Sequence, residues 1–214
     1  MADQPFIIGI AGGSGAGKTT LTAALAARFQ PAQVACLAHD AYYRDLGHLA
    51  PADRARRNFD HPDALESELL VEHLALLAAG HTVCVPAYDF SHHRRSSGGR
   101  ELAPCPVIVV EGVLLFAVDA LLPLFDLRVF VDADPDLRLV RRLRRDVAER
   151  GRPAEQTMDQ YLTSVRPMHV QYVEPSRRHA DLIVPADGRQ EVAVELLAAR
   201  VRAHLGASGS GLGA

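Results

Sequence analysis

The stretch AGGSGAGKTT at residues 11–20 fits the pattern G-x-x-x-x-G-K-[ST], and it constrains the chain on both sides of itself. Such a loop needs a strand leading in and a helix leading out. Its backbone N–H groups turn inward around a phosphate, and the helix adds the positive end of its dipole. Both neighbours are legible. FIIGIA (6–11) is a short β-branched apolar run that reads as a buried strand, and TTLTAALAARF (19–29) continues as a helix. Gly12, Gly13, Gly15 and Gly17 allow the turn. Together with Ser14, Ala16, Lys18, Thr19 and Thr20 they form a candidate ATP-type triphosphate site. There the Lys18 ammonium reaches the β- and γ-phosphates and the Thr19 hydroxyl binds Mg²⁺. Lys18 is the only lysine, since all the other residues of the Lys+Arg total of 23 are arginine. A planar guanidinium can replace a lysine charge at many positions, but not where a compact ammonium must fit between phosphates.

The same strand–helix alternation continues downstream. VACLA (34–38), TVCVP (82–86), VIVV (107–110), LRVFVD (127–132) and DLIVP (181–185) read as strands, and the uninterrupted VIVV suits the middle of a parallel sheet. ALESELLVEHLALLAAG (64–80) reads as a helix closed by a glycine. DPDLRLVRRLRRDVAERG (134–151) reads as another, with Asp134 as N-cap and Pro135 at the first helical position. Residues 155–173 and 190–205 are further helices. The fold class is therefore α/β: a P-loop NTPase-type parallel sheet flanked by helices. PAYDFSHHRRSSGGRE (86–101) breaks the pattern and suggests a β-hairpin insertion over about 82–104. An arginine-rich segment over about 138–160 suggests a lid. Residues 1–205 form one domain, and the glycine- and serine-rich GASGSGLGA (206–214) a flexible tail.

Composition narrows the function classes. The net charge of −3 argues against a broad nucleic-acid or membrane surface. Three widely spaced cysteines without C-x-x-C fit free thiols in a reducing compartment, and the start MADQPF lacks a basic or long apolar segment, so a cytoplasmic location is expected. With Lys18 the only lysine, the guanine motif N-K-x-D of switch GTPases is excluded.

In open α/β sheets the site lies beyond the carboxyl ends of the strands. Asp40 follows the second strand and Glu111 follows VIVV. Glu111 is the candidate partner of Thr19 in holding magnesium, in a place where aspartate is usual; a solvated carboxylate is the alternative.

Six further stretches, HDAYYRD (39–45), NFDHPDA (58–64), PAYDFSHHR (86–94), VIVVEGVLLF (107–116), RRLRRDVAERGR (141–152) and YLTSVRPMHVQYVEPSRRHADLIVP (161–185), resemble the uridine–cytidine kinase family in order and spacing. The resemblance runs from about Phe6 to about Arg200. It implies transfer of a phosphoryl group from ATP or GTP to the 5′-hydroxyl of uridine or cytidine, a homo-oligomer (a tetramer in the family) and feedback by UTP or CTP. It assigns Asp40 to the 5′-hydroxyl and Asp60 to the vicinal ribose hydroxyls. Tyr88, Phe90 and His93 go to the base pocket, although a shift of one residue would exchange His93 with His92. Tyr43 walls the pocket, and Phe59 either contacts the nucleoside or packs in the core. Arg142, Arg152 and Gln160 go to the nucleoside side, and Arg145 and Arg150 to the triphosphate, with Arg145 also catalytic alongside Asp40 and Lys18. The alternatives are a kinase of the same fold acting on another small alcohol, as phosphoribulokinases and pantothenate kinases do, or a P-loop regulatory module without catalysis.

Overall fold

In a computed structural model, which describes residues 4–186 and 190–209, the amino-terminal half runs β1 (Phe6–Ala11), α1 (Lys18–Ala26), β2 (Val34–Ala38), α2 (Pro51–Ala55), α3 (Ser67–Ala78), β3 (Val83–Asp89) and β4 (Arg94–Leu102). It continues through β5 (Val107–Gly112), β6 (Leu127–Asp132), α4 (Pro135–Arg150), α5 (Ala154–Gln160), α6 (Arg166–Met168), α7 (Glu174–Ser176), β7 (Leu182–Pro185) and α8 (Gln190–Gly209). Five strands form one sheet in the order β2-β5-β1-β6-β7, parallel throughout.

Each central strand is apolar at successive positions because both faces are covered. Ile7, Ile108, Val110 and Phe130 face one core, against Leu70, Leu74 and Leu77 of α3. Ile8, Ile10, Val107, Val109, Val129 and Val131 face the other, against Leu21 and Leu25 of α1 and Val194, Leu197 and Val201 of α8. Gly9 interrupts this pattern for a steric reason. A Cβ there would lie 2.9 Å from Cγ of Phe125 and 3.0 Å from Cε1 of Phe116.

TVCVP does not join the parallel sheet. It becomes β3 and pairs antiparallel with β4 in a separate two-stranded sheet, with Val83 opposite Leu102, Tyr88 opposite Arg95, and a register shift between Pro86 and Tyr88. The helix expected from residue 64 starts at Ser67, because a 3₁₀ turn over Pro62–Ala64 comes first, with His61 Nδ1 accepting from the Asp63 N–H at 3.2 Å. Asp134 and Pro135 open α4 as expected, although Asp134 caps without a side-chain hydrogen bond, and Gly151 closes it with φ 64°.

The helix expected over 155–173 is longer and irregular. Helical turns run without a break from Ala154 to His179, but Tyr161–Val165 and His169–Val173 are π-helical. Pro167 and Pro175 explain both stretches. Proline lacks the N–H that an α-turn needs and its ring crowds the carbonyl four residues back; a widened turn moves that carbonyl aside. The expected tail also changes, since α8 carries the helix through residues 206–209. Residues 210–214 of that tail lie outside the described residues. Among the described residues no helix is long and apolar enough to cross a membrane.

Gly9→Ala should destabilise the protein by about 1–3 kcal/mol, because its methyl overpacks the two rings. Denaturant unfolding of the two proteins measures this; equal stability would show that the rings move aside freely.

Candidate active site

β1 delivers the phosphate loop to the carboxyl edge of the sheet, where close approach requires glycine. At Gly12, φ is 146° and a Cβ would collide with the Val131 carbonyl of the adjacent strand. Lys18 follows at the start of α1. Its side chain is buried and its Nζ donates to the Gly13 carbonyl at 3.1 Å, which curls it over the loop. Burial lowers its pKa, while Glu111 and Asp40 pull it back up.

The parallel register places the acids beside this lysine. Glu111 lies level with Ile10 on one side and Ala38 on the other. Its Oε1 accepts from Thr19 Oγ1 at 2.8 Å. Burial raises the Glu111 pKa, and Lys18 and Thr19 oppose the rise. Two residues past Ala38, Asp40 sits in a 3₁₀ turn, His39–Tyr42. That turn is anchored on α3: His39 Nε2 lies 3.0 Å from Ser67 Oγ, and Tyr42 Oη lies 3.0 Å from His73 Nδ1. Tyr42 is fully buried and belongs to the core.

One cleft joins the two halves of the site. Ser14, Lys18, Thr19, Asp40 and Glu111 line it, with Arg145 and Arg150. All nine residues that sequence assigned to the nucleoside line it too: Tyr43, Phe59, Asp60, Tyr88, Phe90, His93, Arg142, Arg152 and Gln160. Gly12, Gly13, Gly15, Ala16, Gly17 and Thr20 are not among its lining residues; Thr20 is exposed and Ala16 is buried in the core. The loop glycines can serve through their backbone.

The aromatic end is built around Tyr43. Its ring centroid lies 5.2 Å from Tyr88, 5.7 Å from Phe59 and 6.3 Å from Phe90, and its hydroxyl donates to the Phe59 carbonyl at 3.0 Å. Phe59 therefore faces the cleft. His93 stacks on it with centroids 4.4 Å apart and has φ 51°, the only positive φ among the described non-glycine residues. The neighbouring His92 is held away, with Nδ1 2.6 Å from Asp89 Oδ2. His93, not His92, lines this cleft. Burial and then Arg152, Arg150 and Arg54 lower the His93 pKa. Asp60 accepts from Ser164 Oγ at 3.0 Å; burial raises its pKa and Arg142 lowers it.

The arginine segment is not a solvated face throughout. Arg138 and Arg142 are buried, whereas Arg141 and Arg144 are exposed. Arg142 donates to Ser14 Oγ and to Gln160 Oε1, both at 3.1 Å, and Arg152 donates to the same Gln160 oxygen at 3.3 Å. Burial, then repulsion from Arg145, lowers the Arg150 pKa. Arg150 also lies over the Phe90 ring, 5.2 Å from its centroid.

Two site residues escaped the sequence reading. Asp146 has no exposed surface and meets four arginines; the i, i+4 spacing of Arg142, Asp146 and Arg150 was its one signal. Ser164 reaches Asp60 from a π-helical turn, whose altered phase no α-helical pattern foretells. Among the described residues no group of three or more His, Cys, Asp or Glu could hold a metal ion by itself. Thr19 and Glu111 suit an ion that takes its remaining ligands from phosphate and water.

A phosphate loop that opens into an aromatic half-site sets a triphosphate site beside a second small-molecule site, and a protein so built is a P-loop phosphotransferase, a kinase. Comparison with known proteins narrows the class. The family described as "Phosphoribulokinase / Uridine kinase family" matches residues 7–193, so the chain belongs to that family. It is 47% identical to the uridine kinase of Chloroflexus aurantiacus over 208 residues, 97% of this chain and 100% of that one. It is 43% identical to the uridine kinase of Geobacillus kaustophilus over 205 residues, 96% of this chain and 97% of that one. Among solved structures, the phosphoribulokinase from Rhodobacter spheroides superposes with a TM-score of 0.62 at 18% identity, covering 85% of this chain and 70% of that one. The D-glycerate 3-kinase from Cryptococcus neoformans gives 0.59 at 15% identity, covering 86% and 87%. At such identities these two likenesses speak to the fold.

The buried turn below Asp40 should make the protein acid-sensitive. Burial lowers the His39 pKa to about 3, against 6.5 when exposed. Between those values the unfolded chain binds the extra proton, so this contribution to stability is complete above pH 6.5 and shrinks as pH falls towards 3. His39→Gln should therefore lose less stability than the wild type between pH 7 and pH 5, as measured by urea unfolding. Equal losses would remove His39 from the acid response.

Proposed function

We propose that the protein transfers the γ-phosphoryl group of ATP or GTP to the 5′-hydroxyl of uridine or cytidine, yielding UMP or CMP for pyrimidine salvage in the cytoplasm. The observation that carries this is the single cleft in which all nine residues assigned to the nucleoside stand beside Lys18 and Asp40. The uridine kinases at 47% and 43% identity add support.

In this reading the triphosphate lies on the loop with Lys18 at its β- and γ-phosphates. The nucleoside lies between Tyr43, Phe59, Tyr88 and Phe90. Asp60 accepts from the 2′- and 3′-hydroxyls, so a deoxyribose would leave a buried acceptor short of a partner. Low-pKa His93 is neutral near pH 7 and can donate to uridine O4 or, as the other tautomer, accept from cytidine N4. Asp40 aligns the 5′-hydroxyl and takes its proton as the O5′–Pγ bond forms and the Pγ–O bond to the leaving diphosphate breaks. Lys18, Arg145 and Arg150 neutralise the charge on the transferring group. Mg²⁺ held by Thr19 and Glu111 would supply further neutralisation of the phosphate oxygens. The segment over about 138–160 closes over the cleft and excludes water. The family resemblance also supports a homotetramer.

A coupled assay of ADP or GDP release, run with ATP and GTP over a panel of acceptors, tests the proposal. Uridine and cytidine should stimulate release strongly and deoxyuridine weakly. Stimulation by neither ribonucleoside would reject it. Asp40→Asn should retain ATP binding while kcat falls by ~10²–10⁴. Unchanged turnover would take Asp40 out of the mechanism.

A further inference from the structure

Asp146 is where the cations of the cleft meet. Its Oδ1 accepts from Arg145 Nε at 3.0 Å and from Arg145 Nη2 at 2.9 Å, and lies 3.3 Å from Arg150 Nη1. Its Oδ2 lies 3.6 Å from both Arg142 Nε and Arg152 Nη1. The chain geometry produces this convergence. Arg142 and Arg150 stand one helical turn either side of Asp146 on α4. The left-handed turn at Gly151 then brings Arg152 back, its N–H donating to the Asp146 carbonyl at 3.1 Å.

The four arginines are not held alike. Arg142 is also held by Ser14 and Gln160, and Arg152 by Gln160. Among the described residues Arg145 makes its side-chain hydrogen bonds to Asp146 alone, and Arg150 adds only the Phe90 ring. The two arginines assigned to the triphosphate in the proposed function thus depend on this one carboxylate.

We propose that Asp146 is a positioning residue for phosphoryl transfer, fixing Arg145 in the cleft it shares with Lys18 and Asp40 before the donor arrives. The proposal rests on the kinase reading of the site. Two guanidiniums close together repel, and a buried anion between them offsets part of that repulsion while fixing their direction. Cations already aimed at developing charge need no rearrangement during the reaction. The carboxylate is held by hydrogen bonds from Arg145 at Oδ1, while Oδ2 has no hydrogen bond among the described residues and faces Arg142 and Arg152 as ion pairs.

Asp146→Asn keeps the shape and removes the charge. It should lower kcat roughly 10- to 100-fold with the nucleoside KM within about 3-fold of wild type. In an Arg145→Ala background the same substitution should lower kcat by less than about 3-fold, because its effect passes through Arg145. A kcat near wild type, or the same loss in both backgrounds, overturns the proposal. Asp146→Glu keeps the charge and displaces the carboxylate by a methylene. It should lower kcat by about 10-fold with the unfolding midpoint preserved; full activity overturns the proposal even if Asp146→Asn does not fold. If wild-type protein turns over neither uridine nor cytidine, the acceptor reading fails. Asp146 is then judged by calorimetry with an unreactive ATP analogue: Asp146→Asn should weaken binding by about 3- to 10-fold, and unchanged affinity overturns the positioning role.

Discussion

The cleft depends on the parallel alignment of β2, β5 and β1. Ala38, Glu111 and Ile10 lie level across the three strands. Because all three run in one direction, the turns that follow them leave from the same edge. The phosphate loop, the magnesium candidate Glu111 and the turn bearing Asp40 are neighbours for that reason alone. An antiparallel partner in this sheet would send one of those turns to the opposite edge. The double-sided apolar core that fixes the register is therefore also what brings the charged groups together.

Charge balance is the second constraint. Lys18, Arg142, Asp146 and Glu111 are all wholly or partly buried, in places where single ions are costly. Opposite signs offset this cost. Burial pushes Lys18 and Glu111 each towards neutrality, and each pulls the other back. At the far side, Asp146 does for four guanidiniums what Glu111 does for one ammonium. The cleft remains rich in cations, as suits a polyanionic donor.

What could be read from the sequence followed burial. FIIGIA, VIVV and LRVFVD announce strands because both faces are covered, and the phosphate loop announces itself through backbone demands only glycine meets. TVCVP was equally apolar, but nothing in five residues says which sheet a strand will join; only β4 decides that. The π-helical turns follow from Pro167 and Pro175, yet the phase change that turns Ser164 towards Asp60 has no pattern of its own. The choice between His92 and His93 rests on Asp89 capturing one ring. Asp146 was hidden by its company, since a carboxylate among arginines on a helix usually marks a solvated face.

Lys18 being the chain's one lysine also has a spectroscopic consequence. Isotope placed in lysine alone would give one side-chain signal, and that signal would come from the amine curled over the phosphate loop. Occupancy of the loop could then be followed in the intact protein by a single resonance, without a label foreign to the chain.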